Sequence, residues 1–232
     1  VSPQYAEVAE NAYVNEVAKN GIYSLFSAFR HNELDYRRFY LTEYKDSELP
    51  PIRDLLSEDE MGYRFTSADP DDITRLVPGR GAELHKNVII IAMESMGANF
   101  MERFGGKKNV TPVLDALTRD SLFFSNTYAT GTRTVRGLEA ISLSIPPTPG
   151  QSILRRPGNE NLASIGFVFK DRGYDTKFIY GGYGYFDNMN YFFENNGFDI
   201  VDRASFKGDE KTFVNAWGLC DEDIFNKVLK EA

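Results

Sequence analysis

The sequence has little cysteine and no long apolar run. Among its 232 residues Cys220 is the single cysteine, so no internal disulfide can form, and the compartment is left open. No apolar stretch reaches the length of a transmembrane helix, and no signal peptide begins at Val1. The chain starts without methionine, so we expect it to be a piece of a longer protein.

Positive charge and histidine are also scarce. The 26 basic residues face 34 acidic ones, a formal net charge of −8, which argues against a nucleic-acid partner. The two histidines, His31 and His85, lack partners at metal-ligand spacing, so we interpret them as helix-end and structural residues. Aromatic residues, in contrast, are frequent and clustered, which suits a large core or a wall that meets carbohydrate or lipid.

The first chemical signal is the stretch NVIIIAMESMG, residues 87–97. Its apolar part, 88–93, is rich in β-branched residues, which is typical of a strand buried on both faces of a parallel sheet. Glu94 follows where this run ends. Ligands of open α/β sheets bind outside the carboxyl ends of the strands, so Glu94 is a candidate metal ligand or phosphate-handling group. The alternative is a carboxylate that only caps or solvates the loop.

The second chemical signal is TRTVRG, residues 132–137, which follows a predicted strand at 121–129 and opens a predicted helix. Helix N-termini attract anions, and arginines such as Arg133 and Arg136 present donors suited to phosphate or sulfate oxygens. Thr134 between them is a candidate nucleophile if a metal ion assists its deprotonation. The alternative is a threonine N-cap flanked by solvated arginines.

The remaining patterns predict the frame around these two stretches. An amphipathic helical segment, broken near Gly21 and capped at Ser2, precedes an irregular connector that is rich in proline and acidic residues. Further helices are predicted after Thr111, before Gly173, after Asp187 and after Cys220, with short strands at 176–180 and 198–201. The three acids 221–223 suit either a metal cluster or the first turn of the last helix, and we favour the helix.

These elements predict an α/β fold, a mostly parallel sheet with helices on both faces, preceded by an N-terminal helical segment. We place residues 1–85 in the helical segment and connector, and residues 86–232 in the N-terminal portion of a catalytic domain.

The chain resembles the lipoteichoic acid synthase-like phosphoglycerol transferases of the alkaline phosphatase and sulfatase superfamily. The resemblance rests on NVIIIAMESMG, on NVTPVLDALTRDSLFFSNTYATGTRTVRGLEA and on GYDTKFIYGGYGYFDNMNYFFENNGFDIVD. It implies that Glu94 and Thr134 hold one divalent ion, Mn²⁺ before Mg²⁺ or Zn²⁺, and that Thr134 becomes a covalent phosphoglycerol intermediate. Arg133 and Arg136 would offset charge on the substrate.

Two departures from the family pattern bear on this chain. The family completes its metal site with a downstream Asp-His pair, so we expect those ligands beyond Ala232. Where the synthases read the headgroup with Trp and Arg, this sequence offers Asp187 and Asn188 as substrate-binding residues.

The activity implied by the resemblance is transfer of phosphoglycerol from phosphatidylglycerol to a glycan or lipid acceptor. The expected setting is the outer side of a bacterial inner membrane, with the intact protein tethered there. The alternatives are a phosphodiesterase or sulfatase using the same residues with water, or a non-catalytic lipid-sensing relative.

Overall fold

The computed structural model describes residues 8–9, 12–30, 52–57, 64–69, 72–79 and 81–232. They form two units, one containing the described residues up to Arg30 together with Ile89–Ala232, the other those from 52 to Val88. The predicted division after residue 85 remains a prediction, although the second unit ends close to it. The predicted cap at Ser2 and the interpretation of His31 lie outside the described residues.

The N-terminal helical segment consists of two helices, α1 (Ala12–Ala18) and α2 (Gly21–Arg30). They are separate because Asn20 begins the second helix, since its Oδ1 accepts a 3.0 Å hydrogen bond from the Tyr23 amide. An asparagine at this position satisfies an amide that the helix leaves unpaired. The predicted break therefore falls just before Gly21.

The predicted irregular connector contains a small structured unit of its own. Helix α3 (Ile52–Ser57) precedes β1 (Arg64–Phe65) and β2 (Arg75–Leu76), which pair antiparallel. Arg53 in α3 donates hydrogen bonds to the carbonyls of Ser67 and Asp69 and lies 4.1 Å from the Phe65 ring centroid. This arginine binds the helix to the hairpin.

The prediction of strands at 88–93 and 121–129 is wrong. Neither segment forms a ladder with any described residue, and a strand requires a hydrogen-bonded neighbour. Ile90 is 55% exposed and Phe124 is 70% exposed. An apolar run predicts burial only where another segment covers it, and no described segment covers these two.

The other predicted elements of residues 89–232 are present, and this part of the chain forms four helices before the last one. These are α4 (Pro112–Asp120), α5 (Thr134–Leu143), α6 (Ile165–Lys170) and α7 (Met189–Glu194). Pro112 occupies the start of α4, where its missing amide costs nothing, and Gly173 follows α6 with a left-handed φ of 81°. Both features were predicted from the sequence.

The two short strands β3 (Lys177–Ile179) and β4 (Asp199–Val201) pair in parallel, with Phe178 opposite Ile200. Helix α7 connects them, as expected for a crossover between parallel strands. The carboxyl end of β3 leads directly to Tyr180, and that of β4 to Asp202. This end of the parallel pair carries the candidate site.

The main hydrophobic core packs α5 and α7 against β3. Its buried members are Val135, Leu143, Leu154, Met189, Phe192 and Phe193. Phe193 stacks on Phe178 of β3 with a centroid distance of 3.8 Å, and Phe192 is fully buried. Aromatic pairs of this kind stabilise a core beyond the area they bury. The core therefore fixes the start of α5 relative to the end of β3.

The last helix, α8 (Asp221–Glu231), has the three acids in its first turn, as favoured from the sequence. Asp223 is buried and accepts hydrogen bonds of 2.8 Å from both the amide and the hydroxyl of Thr212. At the other end, Glu231 pairs with Lys177 of β3 at 2.7 Å. Among the described residues, no helix combines the length and apolar character needed to cross a bilayer.

Candidate active site

Thr134 is the first residue of α5, and its side chain is exposed. The cap position before the helix belongs to Arg133, whose backbone is extended and whose side chain caps nothing. The alternative interpretation of Thr134 as the N-cap is therefore wrong. The hydroxyl makes no hydrogen bond with a described residue, so it stands ready to meet a ligand at the positive end of a ten-residue helix.

The two arginines beside Thr134 have different environments. Arg133 is exposed, whereas the Arg136 side chain is 17% exposed and reaches Glu139, three residues further along α5. Its guanidinium lies 2.9 Å from Glu139 Oε1 and donates a second hydrogen bond to the Gly150 carbonyl. The Arg136 guanidinium therefore donates hydrogen bonds to the protein itself, and its predicted contact with substrate stays a prediction.

Glu139 is the fully buried carboxylate beneath this site. Besides the ion pair with Arg136, its Oε2 accepts hydrogen bonds from Ser152 Oγ at 2.7 Å and from the Ile153 amide at 2.6 Å. A buried charge is tolerated only when its hydrogen bonds and its counter-ion are in place. Glu139 thus joins α5 to the 3-10 turn Ile153–Arg155.

Glu94 lies in the exposed segment that follows 88–93, just before Ser95, a residue with a left-handed φ of 56°. Its carboxylate interacts electrostatically with the Tyr180 hydroxyl. Tyr180 directly follows β3 and packs against the core cluster that includes Val135, the residue after Thr134. Glu94 therefore lies near the carboxyl end of β3, and Thr134 begins a helix that packs on the same core as Tyr180. That the side chains of Glu94 and Thr134 share one ion stays a prediction.

Tyr180 keeps its proton near neutral pH. Burial, and then the negative charge of Glu94, raise the pKa of this hydroxyl above its ordinary value. The group is therefore a hydrogen-bond donor at the carboxyl end of β3.

Asp187 and Asn188 lie in the loop between β3 and α7, and both have left-handed φ angles, 55° and 61°. Such angles are uncommon outside glycine. Neither side chain caps α7, so the predicted cap at Asp187 is wrong. Asp187 instead forms an ion pair with Arg155, and Asn188 Nδ2 donates a 2.7 Å hydrogen bond to the Leu154 carbonyl.

Asp202 holds the beginning of the same loop. Its carboxylate accepts hydrogen bonds from Asn190 at 2.9 Å, Gly184 at 3.1 Å and Ala204 at 2.9 Å. Burial alone would raise its pKa, but these hydrogen bonds outweigh that effect and lower the pKa below its ordinary value. A Cβ at Gly184 would lie 1.6 Å from the Asn190 amide oxygen, so only glycine permits this approach.

The donors near Thr134 suit a hard divalent ion in kind but not in number. Glu94 and the Thr134 hydroxyl offer oxygen, which Mg²⁺ and Mn²⁺ prefer. Within the described ranges, however, no group of three or more histidine, cysteine or acidic side chains is arranged to hold a metal. His85 pairs with Glu83 at 3.9 Å on the surface. A protein site normally supplies three or four ligands, so these residues form part of one at most.

A comparison with protein families assigns the larger part of the chain. The sulfatase family profile matches residues 86–232, more than half of the chain. The chain belongs to the sulfatase family. Members of its superfamily typically use a divalent metal ion.

Individual relatives support the same family. The sulfatase-family chain is 24% identical over 211 residues to lipoteichoic acid synthase 2 of Bacillus subtilis (strain 168), covering 84% of this chain and 32% of that protein. It is 42% identical to a crystal structure of an alkaline phosphatase superfamily protein from Vibrio parahaemolyticus, with a TM-score of 0.55, over 59% of this chain and 33% of the other. These likenesses confirm the predicted family and the α/β fold. The chain spans about a third of the length of either relative.

Sequence reasoning missed four residues that shape the site: Glu139, Arg155, Tyr180 and Asp202. The spacing of Arg136 and Glu139 on a predicted helix could have indicated their pairing. Arg155 and Asp187 are far apart in sequence and carry no motif, so their contact needed the structure.

Proposed function

We propose that this chain is part of a metal-dependent phosphotransferase that moves phosphoglycerol from a phospholipid such as phosphatidylglycerol to a cell-envelope acceptor. The observation that carries the proposal is the exposed hydroxyl of Thr134 at the N-terminus of α5, a helix whose first turn is packed into the main core. The similarity to lipoteichoic acid synthase 2 supports this reaction over others of the family.

Thr134 takes part in both steps of a double displacement. Thr134 Oγ1 attacks the phosphorus of the lipid phosphodiester, and an Oγ1–P bond forms. The bond from phosphorus to the diacylglycerol oxygen breaks, and diacylglycerol leaves with a proton. An acceptor hydroxyl then attacks the same phosphorus, and Thr134 returns as a free hydroxyl.

The surroundings stabilise the charge on the phosphoryl oxygens. The free amides at the start of α5 point toward an anion at Thr134, and Arg133 adds a positive charge. A divalent ion held by Glu94, Thr134 and further ligands would supply the acidity that makes a threonine hydroxyl nucleophilic. Mn²⁺ is the ion proposed, with Mg²⁺ and Zn²⁺ as alternatives.

The proposed setting follows from the lipid donor. A phosphatidylglycerol headgroup lies at a bilayer surface, so the intact protein would work at a bacterial inner membrane, with this part on the periplasmic or extracellular side. The acceptor is a glycan or another lipid.

The experiment is to trap the covalent intermediate in the intact protein. We expect incubation with headgroup-labelled phosphatidylglycerol, without acceptor, to leave one labelled glycerophosphate on the peptide that contains Thr134, found by mass spectrometry. Chelation of metal should prevent labelling, and the ion that restores it identifies the cofactor. Label on another residue would show that Thr134 is not the nucleophile.

A second arm separates the transferase from the alternatives. Rapid release of free glycerophosphate, unchanged by added glycan or lipid acceptors, would identify a phosphodiesterase. The proposed reaction would be overturned if the protein is not labelled and releases no diacylglycerol from any phospholipid. Hydrolysis of sulfate esters in place of phospholipids would overturn it as well.

A further inference from the structure

The site contains an arginine that the sequence did not single out. Arg155 ends the 3-10 turn Ile153–Arg155, and its side chain is 47% exposed. It pairs with Asp187, whose side chain is only 11% exposed. The guanidinium is thus oriented from one side by a nearly buried carboxylate, while its other side is open to solvent.

The turn that carries Arg155 is attached to the helix that carries Thr134. Ser152 Oγ lies 3.4 Å from the Val135 carbonyl, in the first turn of α5, and 2.7 Å from Glu139. Arg155 comes three residues later, about 6 Å along a 3-10 turn. Arg155 therefore lies on a turn that is held against the first turn of the helix that begins with Thr134.

The loop after β3 is bent so that it meets this turn. Asp187 and Asn188 both adopt left-handed angles, and Asn188 holds the Leu154 carbonyl at 2.7 Å. Leu154 itself is fully buried in the main core. Arg155 is therefore fixed through its neighbour, its counter-ion and the loop opposite, which reduces the entropy lost when it binds a ligand.

Other arginines nearby lack this combination of order and access. The Arg136 guanidinium donates hydrogen bonds to Glu139 and to the Gly150 carbonyl. Arg156 donates to Thr148 Oγ1 and to the carbonyls of Gln151 and Pro149. Arg133 is exposed but no described side chain orients it. Arg155 alone among these four is both held by a side chain and half open.

We propose that Arg155, oriented by Asp187, binds the phosphate of the donor headgroup beside Thr134. The inference rests on the proposed function and names the residue that recognises its substrate. A guanidinium has five donors in a planar fork, which matches two phosphate oxygens better than a lysine ammonium does. Asp187 then acts as a positioning residue rather than a direct contact.

Two measurements on the intact protein test this assignment. The first is the Kd for glycerol 1-phosphate, a soluble headgroup probe, by calorimetry or ³¹P NMR. The second is the steady-state turnover of phosphatidylglycerol in mixed micelles. We expect Arg155→Lys to raise both Kd and KM about ten-fold with little change in kcat, because it keeps the charge and loses the fork. Arg119→Ala, an exposed arginine in α4, is the matched control and should change neither.

A structural role for the ion pair predicts a different pattern. Arg155→Ala alone leaves Asp187 unpaired, which can destabilise the loop or the fold. The double variant Arg155→Ala/Asp187→Ala removes both charges, so no nearly buried carboxylate is left without its counter-ion. If Arg155 binds phosphate, the double variant keeps a raised Kd and KM. Recovery of the parent values would overturn the proposal.

The outcomes also separate this proposal from the proposed function. Binding of glycerol 1-phosphate that weakens in Arg155→Lys supports the arginine even if phosphatidylglycerol is never turned over. Normal turnover with unchanged Kd and KM in both Arg155 variants overturns the arginine and leaves the transferase standing. A parent protein that does not bind the probe at all also overturns it.

Discussion

The two proposed reactive groups, Thr134 and Glu94, lie in very different structural surroundings. Thr134 begins a helix whose first turn is packed into the main core and joined to a neighbouring turn through the buried Glu139. Glu94 follows an apolar segment that is more than half exposed and forms no ladder with the described residues. Thr134 is therefore held in place by its own local structure, whereas the segment that leads to Glu94 is not. Order of this kind is what catalysis by orientation requires.

The sharpest test of this contrast is Thr134→Ala in the intact protein. We expect kcat to fall by about three orders of magnitude or more, as for loss of a nucleophile, with the melting temperature nearly unchanged. The second part follows because Thr134 is exposed and caps nothing. Circular dichroism and a diacylglycerol-release assay measure the two quantities. Thr132→Ala, an exposed neighbour, should leave both intact, and an early-melting but active Thr134→Ala would contradict the assignment.

Truncation of apolar side chains in the two regions should give opposite results. Phe192→Ala removes a fully buried ring and should cost about 3–5 kcal/mol, or roughly 10 °C in melting temperature. Ile90→Ala, in the exposed segment, should cost less than about 0.5 kcal/mol if that segment stays uncovered. Urea titrations of both variants measure the two losses in the free energy of unfolding. An equally large loss in Ile90→Ala would show that 88–93 is buried in the intact protein.

The buried carboxylate under α5 offers a smaller effect. Glu139→Gln keeps the shape but loses the charge that meets Arg136, so we expect a loss of about 2 kcal/mol in the free energy of unfolding. Glu102→Gln, an exposed glutamate, is the matched control. If Glu139→Gln unfolds at the same urea concentration as the parent, the carboxylate does not hold the turn to the helix.

The smallest effect concerns Glu210, which forms ion pairs with Lys227 and Lys230 of α8. Hydrogen bonds from the Lys207 amide and the Lys230 ammonium lower the pKa of Glu210 from 4.5 to about 2. A carboxyl whose pKa is lower in the folded state stabilises the fold above its unfolded pKa, and this contribution disappears as the pH falls through the folded value. Glu210→Gln should therefore melt slightly early near neutral pH and match the parent near pH 2, as followed by thermal scans. Glu222→Gln, an exposed neighbour in α8, should show no such pH dependence.

Local signals predicted what local forces determine. Pro112, Gly173 and the acids at the start of α8 gave correct helix limits because caps and turns act over a few residues. Strands 88–93 and 121–129 were predicted from composition alone, but a strand exists only with its neighbour, which no local pattern specifies.

The same limit applies to the candidate site. Thr134 and Glu94 stand in recognisable stretches and were found from sequence, whereas the roles of Arg136 and Arg155 were not. Whether an arginine faces a ligand or a buried glutamate depends on side-chain direction and on contacts between distant segments. The charge pattern of TRTVRG contains neither.

The hydrogen bonds of Glu139 should restrict which residues related sequences have at the positions that form them. Arg136 and Ser152 both bind Glu139, so a change at position 139 leaves both without this partner, and a change at either of the other two removes one partner of the buried carboxylate. Such changes survive only in combination, because residues of one network do not contribute independently. Among related sequences, these three positions should therefore covary, with Ser152 replaced by an apolar residue wherever position 139 has lost its charge.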